Sequence, residues 1–510
     1  MADNAPAPPP LYDNTPTISE KEDPSALPPE LAGPCSDQAQ VTEEEGVASD
    51  IADKEELPLP PDPVETVTVT VMESQLLQKE LPAQENPVAV EAEEPKLGEE
   101  TELKQKQKLG QALQSLKEES NNVSDLTESD QKALLELKQL IEEALNEFSF
   151  SSPPEKEKNL AGTLAVEVSI WGIPLLKDDR SDVILLKFLR ARDFKVKDAF
   201  TMFKNTSHWR KSFGIDLLID EDLGDDLEKV VFMHEHDKEG HPVCYNVYGE
   251  FQNKELYEKT FGDDEKRAKF LRWRVQFLEK SIRKLDFSPG GVNTIFQVSD
   301  LKNSPGLGKH ELRQATKQSL QVLQDNYPEF VAKQVFINVP WWYLAFYSVI
   351  SPFLTQRTRS KFVFASPARS AETLFKYIPP ERVPVQYGGL SVDPCDCNPE
   401  FTISDPATDM TIKPGTKQIV EIIIYEKCII VWELRVVGWE VTCGAEFVPS
   451  TEGGYTVIIN KAKKMTPADE PVVHGSFAVS ELGKLLLTVD NPTLKKKKLL
   501  YRFKVKPLGD

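Results

Sequence analysis

The sequence predicts a multidomain protein in which an α/β lobe with an N-terminal helical unit is followed by an all-β sandwich, behind a long disordered acidic tail. Three observations predict this order. Acidic residues dominate the first third of the chain, apolar runs alternate with helical repeats in the middle, and short strand-like runs without helices make up the end. Alternating strands and helices are typical of a parallel sheet covered by helices, and many short strands separated by turns are typical of a sandwich.

The first third of the chain carries the net negative charge. The 510 residues have a formal net charge of −22. Residues 1–150 contain 34 acidic and 10 basic residues, a net charge of −24, whereas the remainder contains 48 acidic and 50 basic residues. Residues 1–115 are expected to be disordered, because they hold too little apolar surface to offset the entropy of ordering. The alternating run Val64–Val71 has no partner nearby and is assigned to this tail.

Helical periodicity begins after the tail. Residues 116–150 predict an amphipathic helix, with Asp130 as its cap. Residues 165–215 predict a small helical unit, in which Ser181–Asp193 and Ala199–Phe213 repeat apolar residues at helical spacing.

Residues 220–393 predict the α/β lobe. Strands are expected at His241–Tyr248, Gly291–Val298, Val335–Val339 and Lys361–Ala365, and helices at Glu265–Leu285, Lys309–Asp325 and Ala371–Tyr377. Residues 395–508 predict the sandwich. Its strand-like runs are Lys417–Tyr425, Ile429–Val437, Glu440–Val448, Tyr455–Asn460, Val472–Val479, Leu485–Val489 and Leu499–Val505.

Cysteine content and the absence of a visible signal peptide favour a reducing, cytosolic setting. The longest apolar run, Val335–Ile350, is interrupted by Asn338 and Pro340 and is too short to span a bilayer, so any membrane contact is expected to be peripheral. We find no nucleotide-binding, hydrolase or metalloprotease motif. The sequence therefore predicts neither an enzyme nor a bound cofactor or metal, and no nucleic-acid partner.

The segment between residues 325 and 390 predicts a lipid-binding cavity. Trp341–Leu354 is apolar on nearly all sides, and such a helix must be buried or must face lipid. Glu329 and Lys361 stand at the edges of this apolar region. A cavity with apolar walls and a few polar anchors suits a lipid with a charged headgroup.

Several motifs in a fixed order resemble the Sec14-like (CRAL-TRIO) lipid-transfer proteins. They are Phe188-Leu-Arg-Ala-Arg192, Trp209-Arg210, Asp300-Leu-Lys302, Asn326-Tyr-Pro-Glu329 and Val385-Gln-Tyr-Gly-Gly389. Together with the C-terminal sandwich and the acidic tail, they resemble the patellins, plant Sec14-like proteins with a C-terminal GOLD domain. The resemblance implies one bound phospholipid, enclosed by a sheet, helices and a mobile gate helix.

The resemblance also implies a headgroup site and a gate. In the family, a phosphatidylinositol headgroup is held at the positions of Glu329, Thr358 and Lys361, and of an arginine for which Arg192 is chosen over Arg190. The alternative is that Glu329 and Lys361 form an ordinary ion pair and do not bind a headgroup. The gate position falls on Trp341–Leu354, with the membrane-facing candidates Trp341, Trp342, Leu344, Phe346, Phe353 and Leu354.

One departure from the family pattern bears on specificity. Phosphatidylcholine-exchanging members have hydroxyl residues where this chain has Ile295 and Gln297. Because Ile cannot hydrogen-bond a phosphate, phosphatidylcholine exchange is not expected.

These observations predict a cytosolic, peripheral-membrane carrier or sensor of phosphatidylinositol or phosphoinositides in membrane trafficking, including cell-plate formation as in the family. Four adjacent lysines, Lys495, Lys496, Lys497 and Lys498, are candidates for docking on an anionic membrane or for protecting a sheet edge. The GOLD domain is expected to contact trafficking proteins. Two alternatives remain: a carrier of a neutral hydrophobic ligand, and a GOLD-mediated scaffold with a vestigial lipid pocket.

Overall fold

The computed structural model describes residues 119–147, 168–305, 309–340, 360–392 and 400–508, and the backbone of residues 64–70. The N-terminal part contains four helices and three short or isolated strands in the described ranges. In chain order they are β1 (Val64–Thr70), α1 (Glu128–Asn146), β2 (Ser169–Ile170), β3 (Ile173–Pro174), α2 (Asp179–Arg190), α3 (Val196–Phe213) and α4 (Ile215–Leu218).

Helix α1 forms where the sequence predicts an amphipathic helix, but its cap differs. The Oγ1 atom of Thr127 accepts a hydrogen bond from the backbone N–H of Asp130 at 3.2 Å, so Thr127 is the N-cap and Asp130 lies in the first turn. The predicted cap Asp130 is therefore wrong, since Thr127 offers a hydroxyl three residues earlier. The apolar face of α1 packs on the helical unit through buried Leu134, Leu137 and Ile141.

The α/β lobe follows. Its elements are β4 (Val231–His236), β5 (Pro242–Val247), α5 (Lys254–Phe261), α6 (Asp264–Ile282), β6 (Ile295–Asp300), α7 (His310–Asn326), β7 (Val331–Ile337), β8 (Phe362–Phe364) and α8 (Ser370–Tyr377). The five strands form one sheet in chain order, in which β5 to β8 run parallel and β4 pairs antiparallel to β5. The predicted α/β fold with a parallel sheet is confirmed.

A buried ionic group joins the helical unit to the lobe. The guanidinium of Arg210 on α3 forms two hydrogen bonds with the carboxylate of Glu279 on α6, one of them at 3.0 Å. The hydroxyl of Tyr327, which follows α7, donates to the same carboxylate at 2.8 Å. Glu279 is fully buried, and these hydrogen bonds, with the guanidinium of Arg283 at 3.6 Å, offset its desolvation. The Trp209-Arg210 and Asn326-Tyr-Pro-Glu329 motifs are thus linked through one carboxylate.

The C-terminal part is a sandwich of two sheets. Its strands are β9 (Thr408–Ile412), β10 (Thr416–Ile424), β11 (Cys428–Val437), β12 (Thr442–Pro449), β13 (Val457–Lys464), β14 (Val473–Val479), β15 (Gly483–Asn491) and β16 (Lys497–Pro507). One sheet has the order β1-β10-β15-β12-β13 and the other β14-β11-β16-β9. Buried and half-buried residues alternate along β10 and β15, as expected for strands with one face on a core. The predicted sandwich is confirmed.

Strand β1 is the main departure from the sequence prediction. The run Val64–Val71 was assigned to a tail without a partner, yet Val64–Thr70 pairs parallel with β10 of the sandwich. The assignment of that run to the unpartnered tail is wrong, because its partner is remote in sequence and local patterns cannot reveal it. The rest of the predicted tail up to residue 118 lies outside the described residues.

The lobe and the sandwich share a contact. The Arg435 guanidinium on β11 donates to the backbone carbonyl of Gly389, and burial lowers the pKa of Arg435 to about 10. Gly388 has a φ of 101°, and a Cβ there would lie 2.8 Å from the Cβ of Ala371. The Val385–Gly389 motif therefore needs glycine where the lobe meets the sandwich.

Candidate functional site

A cavity of about 300 Å³ lies at one end of the lobe. Helix α2, the segment before β6, the turn after α7, strand β7 and helix α8 all contribute to its walls. The described residues that line it are Glu119, Asn121, Lys187, Arg190, Asp237, Lys238, Glu239, His241, Asn293, Thr294, Phe296, Glu329, Ala332, Lys333, Ser360, Lys361, Lys376 and Tyr377. Six of these are Lys or Arg and four are Asp or Glu, so the walls carry an excess of positive charge.

Two of the predicted headgroup residues meet at this cavity. The ammonium group of Lys361 donates to the carboxylate of Glu329 at 2.7 Å. Their side chains are 25% and 17% exposed, so the pair is neither sealed in the core nor fully solvated. Glu329 has a φ of 54°, in the left-handed region that is uncommon for non-glycine residues.

Lys187 donates a hydrogen bond to the backbone carbonyl of Glu329. Its side chain is 2% exposed, and its ammonium group donates to the carbonyl of Glu329 at 3.0 Å and to the carbonyl and side-chain oxygens of Asn293 at 3.0 and 2.7 Å. The ammonium also lies 4.5 Å from the ring centroid of Phe330. We infer that Lys187 stabilises the left-handed conformation of Glu329. The role of Lys187 is not evident from the sequence, since a lysine within an apolar helical stripe has the pattern of a solvated position.

Replacing Lys187 with Met is expected to disorder the Glu329 turn. The substitution leaves the carbonyl of Glu329 and the side chain of Asn293 without their buried donor, which costs about 1–3 kcal/mol per unsatisfied group. Urea unfolding should report the lost stability, and the comparison is the Lys187→Arg variant, which keeps a positive charge and N–H donors at this position. A Lys187→Met variant as stable as the native protein would show that the hydrogen bonds do not hold the turn.

Arg190 and Arg192 occupy different surroundings. Arg190 lines the cavity and is 7% exposed, and its guanidinium binds the Glu119 carboxylate at 2.9 Å and the Ser120 carbonyl at 2.6 Å. Arg192, chosen from the sequence, donates to the carbonyl of Ala191 at 2.9 Å and is not among the described cavity-lining residues. Residues 119–121, just before α1, therefore close one side of the cavity through Arg190.

Further side chains set the charge of the cavity. Burial lowers the pKa of Lys333, whose ammonium lies 5.2 Å from the ring centroid of Tyr377. The ammonium of Lys238 donates to the carbonyl of Phe375 at 2.7 Å. His241 is 2.9 Å from the carboxylate of Asp237. The cavity wall thus carries several cations besides Lys361.

One face of the sheet is lined by partly buried side chains. Gln334 on β7 lies between Gln297 on β6 and Phe362 on β8, and two residues further along Phe336 lies between Ser299 and Phe364. The rings of Phe336 and Phe364 stack with centroids 5.0 Å apart. This face is more polar toward β6 and aromatic toward β8. The predicted gate Trp341–Leu354 and the predicted ligand Thr358 lie outside the described residues, and they stay predictions.

His234 and His241 lie close together in the sequence but contact different groups. His234 is 2.8 Å from the hydroxyl of Ser391, whereas His241 contacts Asp237. Within the ranges that the structure describes, no cluster of His, Cys, Asp and Glu could hold a metal ion. In those same ranges, no helix combines the length and the apolar character that a membrane crossing requires.

The four adjacent lysines 495–498 lie in two different settings. Lys497 and Lys498 belong to β16, where Lys497 donates to the carbonyl of Trp439 at 2.8 Å and Lys498 is paired with Asp409. Lys495 and Lys496 are exposed in the preceding loop. The neighbouring Leu494 is 95% exposed, so the loop presents an apolar side chain beside two cations.

Comparisons with known proteins agree with this architecture. A family model of the CRAL/TRIO domain matches residues 227–389, and one of the CRAL/TRIO N-terminal domain matches residues 133–205. A model of the patellin-1-like C-terminal GOLD domain matches residues 413–497. These matches define a CRAL/TRIO protein with a C-terminal GOLD domain.

Patellin-3 of Arabidopsis thaliana is 69% identical over 403 residues, which cover 79% of this chain and 80% of patellin-3. Patellin-5 of the same plant is 64% identical over 80% of this chain and 59% of its own length. The phosphatidylinositol transfer protein SFH5 of Meyerozyma guilliermondii is 33% identical over 38% of this chain and 60% of that protein. The crystal structure of Sfh5 is 22% identical, with a TM-score of 0.40, over 55% of this chain and 90% of that one. The chain belongs to the patellin family.

Proposed function

We propose that this chain is a non-enzymatic carrier or sensor of phosphatidylinositol or a phosphorylated form of it. It associates peripherally with plasma, endosomal or cell-plate membranes and acts in membrane trafficking, including cell-plate formation. The observation that carries the proposal is the Glu329–Lys361 pair, 2.7 Å apart on the wall of a cavity with an excess of cationic side chains.

The chemistry of the pair fits an inositol phospholipid. A carboxylate such as that of Glu329 accepts hydrogen bonds from inositol hydroxyls, while the ammonium of Lys361 and the hydroxyl of Thr358 donate to the phosphodiester. Lys361 and Glu329 neutralise each other through their contact, and a bound headgroup would give each of them a new partner. Arg192 remains the predicted fourth contact, and Arg190 is a second candidate because it lines the cavity.

The family context supports the same ligand class. A relative of the lobe is named a phosphatidylinositol transfer protein. The aromatic face formed by Phe336, Phe362 and Phe364 offers apolar surface for acyl chains, and Ile295 at the start of β6 is 2% exposed and offers no hydroxyl. These features favour inositol lipids over phosphatidylcholine.

Identification of the lipid carried by the purified protein tests the proposal. Mass spectrometry of an organic extract is expected to give an inositol phospholipid in about equimolar amount, because one cavity encloses one headgroup. A neutral hydrophobic molecule in that extract would contradict the proposal, since such a ligand has no phosphodiester for Lys361. Protein that binds no lipid but still recruits trafficking proteins through its sandwich would support the scaffold alternative instead.

The exposed lysine loop supports membrane docking. Replacing Lys495 and Lys496 with Ala is expected to weaken binding to anionic vesicles by about 2 kcal/mol, roughly thirtyfold, at about 1 kcal/mol per lysine. Vesicle co-sedimentation at low salt measures the effect. The control is Lys461→Ala/Lys464→Ala, which removes the same charge from exposed positions of β13 in the other sheet. Equal losses in both variants would show that net charge, not this loop, governs docking.

A further inference from the structure

Strand β1 occupies one edge of an otherwise complete sandwich. It pairs parallel with β10 over seven residue pairs, whereas β10, β15, β12 and β13 pair antiparallel with one another in the same sheet. Strand β10 already pairs with β15 along nine residues, and its inward side chains Val420, Ile422 and Ile424 are buried in the core of the sandwich. The sandwich therefore does not depend on β1 for its own β10–β15 ladder.

The register of the pairing matches the alternation of both strands. Val67 lies opposite Val420 and Val69 opposite Ile422, and these two β10 residues are fully buried. A shift of one residue would place threonines opposite them instead. The alternating Val/Thr pattern of the run thus specifies one register on the β10 edge.

The other face of β10 is half-buried and partly apolar. Ile419 and Ile423 lie opposite Thr66 and Thr70, and between them Glu421 is paired with Lys484 at 3.2 Å. Because Lys484 neutralises Glu421, a strand on this edge does not need to supply a cation. β-Branched residues pack well on a pleated, half-buried surface of this kind.

Removal of β1 would leave β10 as a free edge. Half of the N–H and C=O groups of an edge strand lack a partner, and such an edge pairs readily with another extended segment. The part of β10 that pairs with β1 has neither a proline nor an inward-pointing charge that would discourage pairing with another strand. In the described structure, this edge is covered by β1 alone.

We propose that the β10 edge is a strand-docking site for an extended protein segment of alternating β-branched residues, and that Val64–Thr70 is its internal competitor. A partner segment of the same pattern displaces β1 and adds to the sheet in its place. This inference builds on the proposed role of the protein in membrane trafficking, to which the sandwich would contribute contacts with other proteins. It uses no residue of the lipid cavity, so its failure leaves the lipid proposal unaffected.

The double substitution Val67→Pro/Thr68→Pro in the full-length protein tests the proposal. Successive N–H groups of a strand point in opposite directions, so one of the two prolines must remove a donor that faces β10. Hydrogen exchange is expected to accelerate by about tenfold or more at those amides of residues 417–423 that point toward β1, while the alternate amides that point toward β15 keep their partners. Amides of β11 and β16 in the opposite sheet should not change. The matched control, Gln78→Pro/Lys79→Pro, places two prolines in the same tail outside β1.

A synthetic peptide of residues 62–72 completes the test. It is expected to bind the proline variant, to restore slow exchange at residues 417–423, and to bind the native protein at least about tenfold more weakly because the edge is occupied. A peptide carrying the same two prolines should not bind. Unchanged exchange in the variant, or no binding of the native-sequence peptide, would overturn the proposal. Protection of β10 that appears only with dimer formation would overturn it too, because the occupant would then be a second copy of the chain.

Discussion

The Lys361→Ala variant is expected to lose roughly ten- to a hundredfold in its loading with phosphatidylinositol. Hydrogen bonds to charged groups contribute about 1.5–3 kcal/mol, and each 1.4 kcal/mol corresponds to a factor of ten. Glu329→Ala should lower the loading as well, because it removes the acceptor for inositol hydroxyls. The measurement is the fraction of protein loaded after equilibration with vesicles of phosphatidylinositol and phosphatidylcholine, read by native mass spectrometry.

An ion pair elsewhere in the lobe provides the control. Lys259 and Asp226 lie 2.6 Å apart, and neither lines the cavity. The variant Lys259→Ala/Asp226→Ala removes a similar pair and should load like the native protein. If Lys361→Ala and Glu329→Ala also load normally while remaining folded, the Glu329–Lys361 pair is an ordinary ion pair and headgroup recognition lies elsewhere.

The Glu279→Ala variant is expected to lose about 3–5 kcal/mol of stability, the range for breaking a buried ion pair. The substitution leaves the guanidinium of Arg210 and the hydroxyl of Tyr327 buried without their shared acceptor. Burial alone would lower the pKa of Arg210, but pairing with Glu279 raises it overall, so the arginine stays charged and needs a partner. The free energy of unfolding in urea measures the loss.

Two comparisons separate the ion pair from the packing. Glu265→Ala changes an exposed glutamate of the same helix α6 and should cost about 0.5 kcal/mol or less. The double variant Arg210→Met/Glu279→Met should be more stable than Glu279→Ala, because it leaves no unpaired charge in the core. A Glu279→Ala variant within 1 kcal/mol of the Glu265→Ala control would contradict the role assigned to this group.

The sequence predicted the fold, and it predicted Glu329 and Lys361 as neighbouring site candidates, because these signals are local or carried by motifs; their role as headgroup ligands stays a prediction. Helix α1 and strand β10 follow the periodicity of their own residues, and Glu329 closes a recognisable motif. The role of Lys187 could not be predicted in this way. Its ammonium is buried only because oxygens of Asn293 and Glu329, remote in sequence, surround it.

The positions of the two arginines relative to the cavity could not be predicted for a related reason. Helix α2 ends at Arg190, so Arg190 is still helical and its side chain lines the cavity, whereas Arg192 lies in the turn after the helix. Helix ends are placed only to within one or two residues by pattern, and that margin decides which arginine lines the wall. Strand β1 shows the same limit for sheets, where a seven-residue run reveals its pattern but not its partner.

A crystal structure of the protein loaded with phosphatidylinositol tests the central claim most directly. We expect the phosphodiester within hydrogen-bonding distance of the Lys361 ammonium and inositol hydroxyls within hydrogen-bonding distance of the Glu329 carboxylate, with the Glu329–Lys361 contact broken. A phosphodiester bound away from this cavity, with the 2.7 Å contact intact, would contradict it.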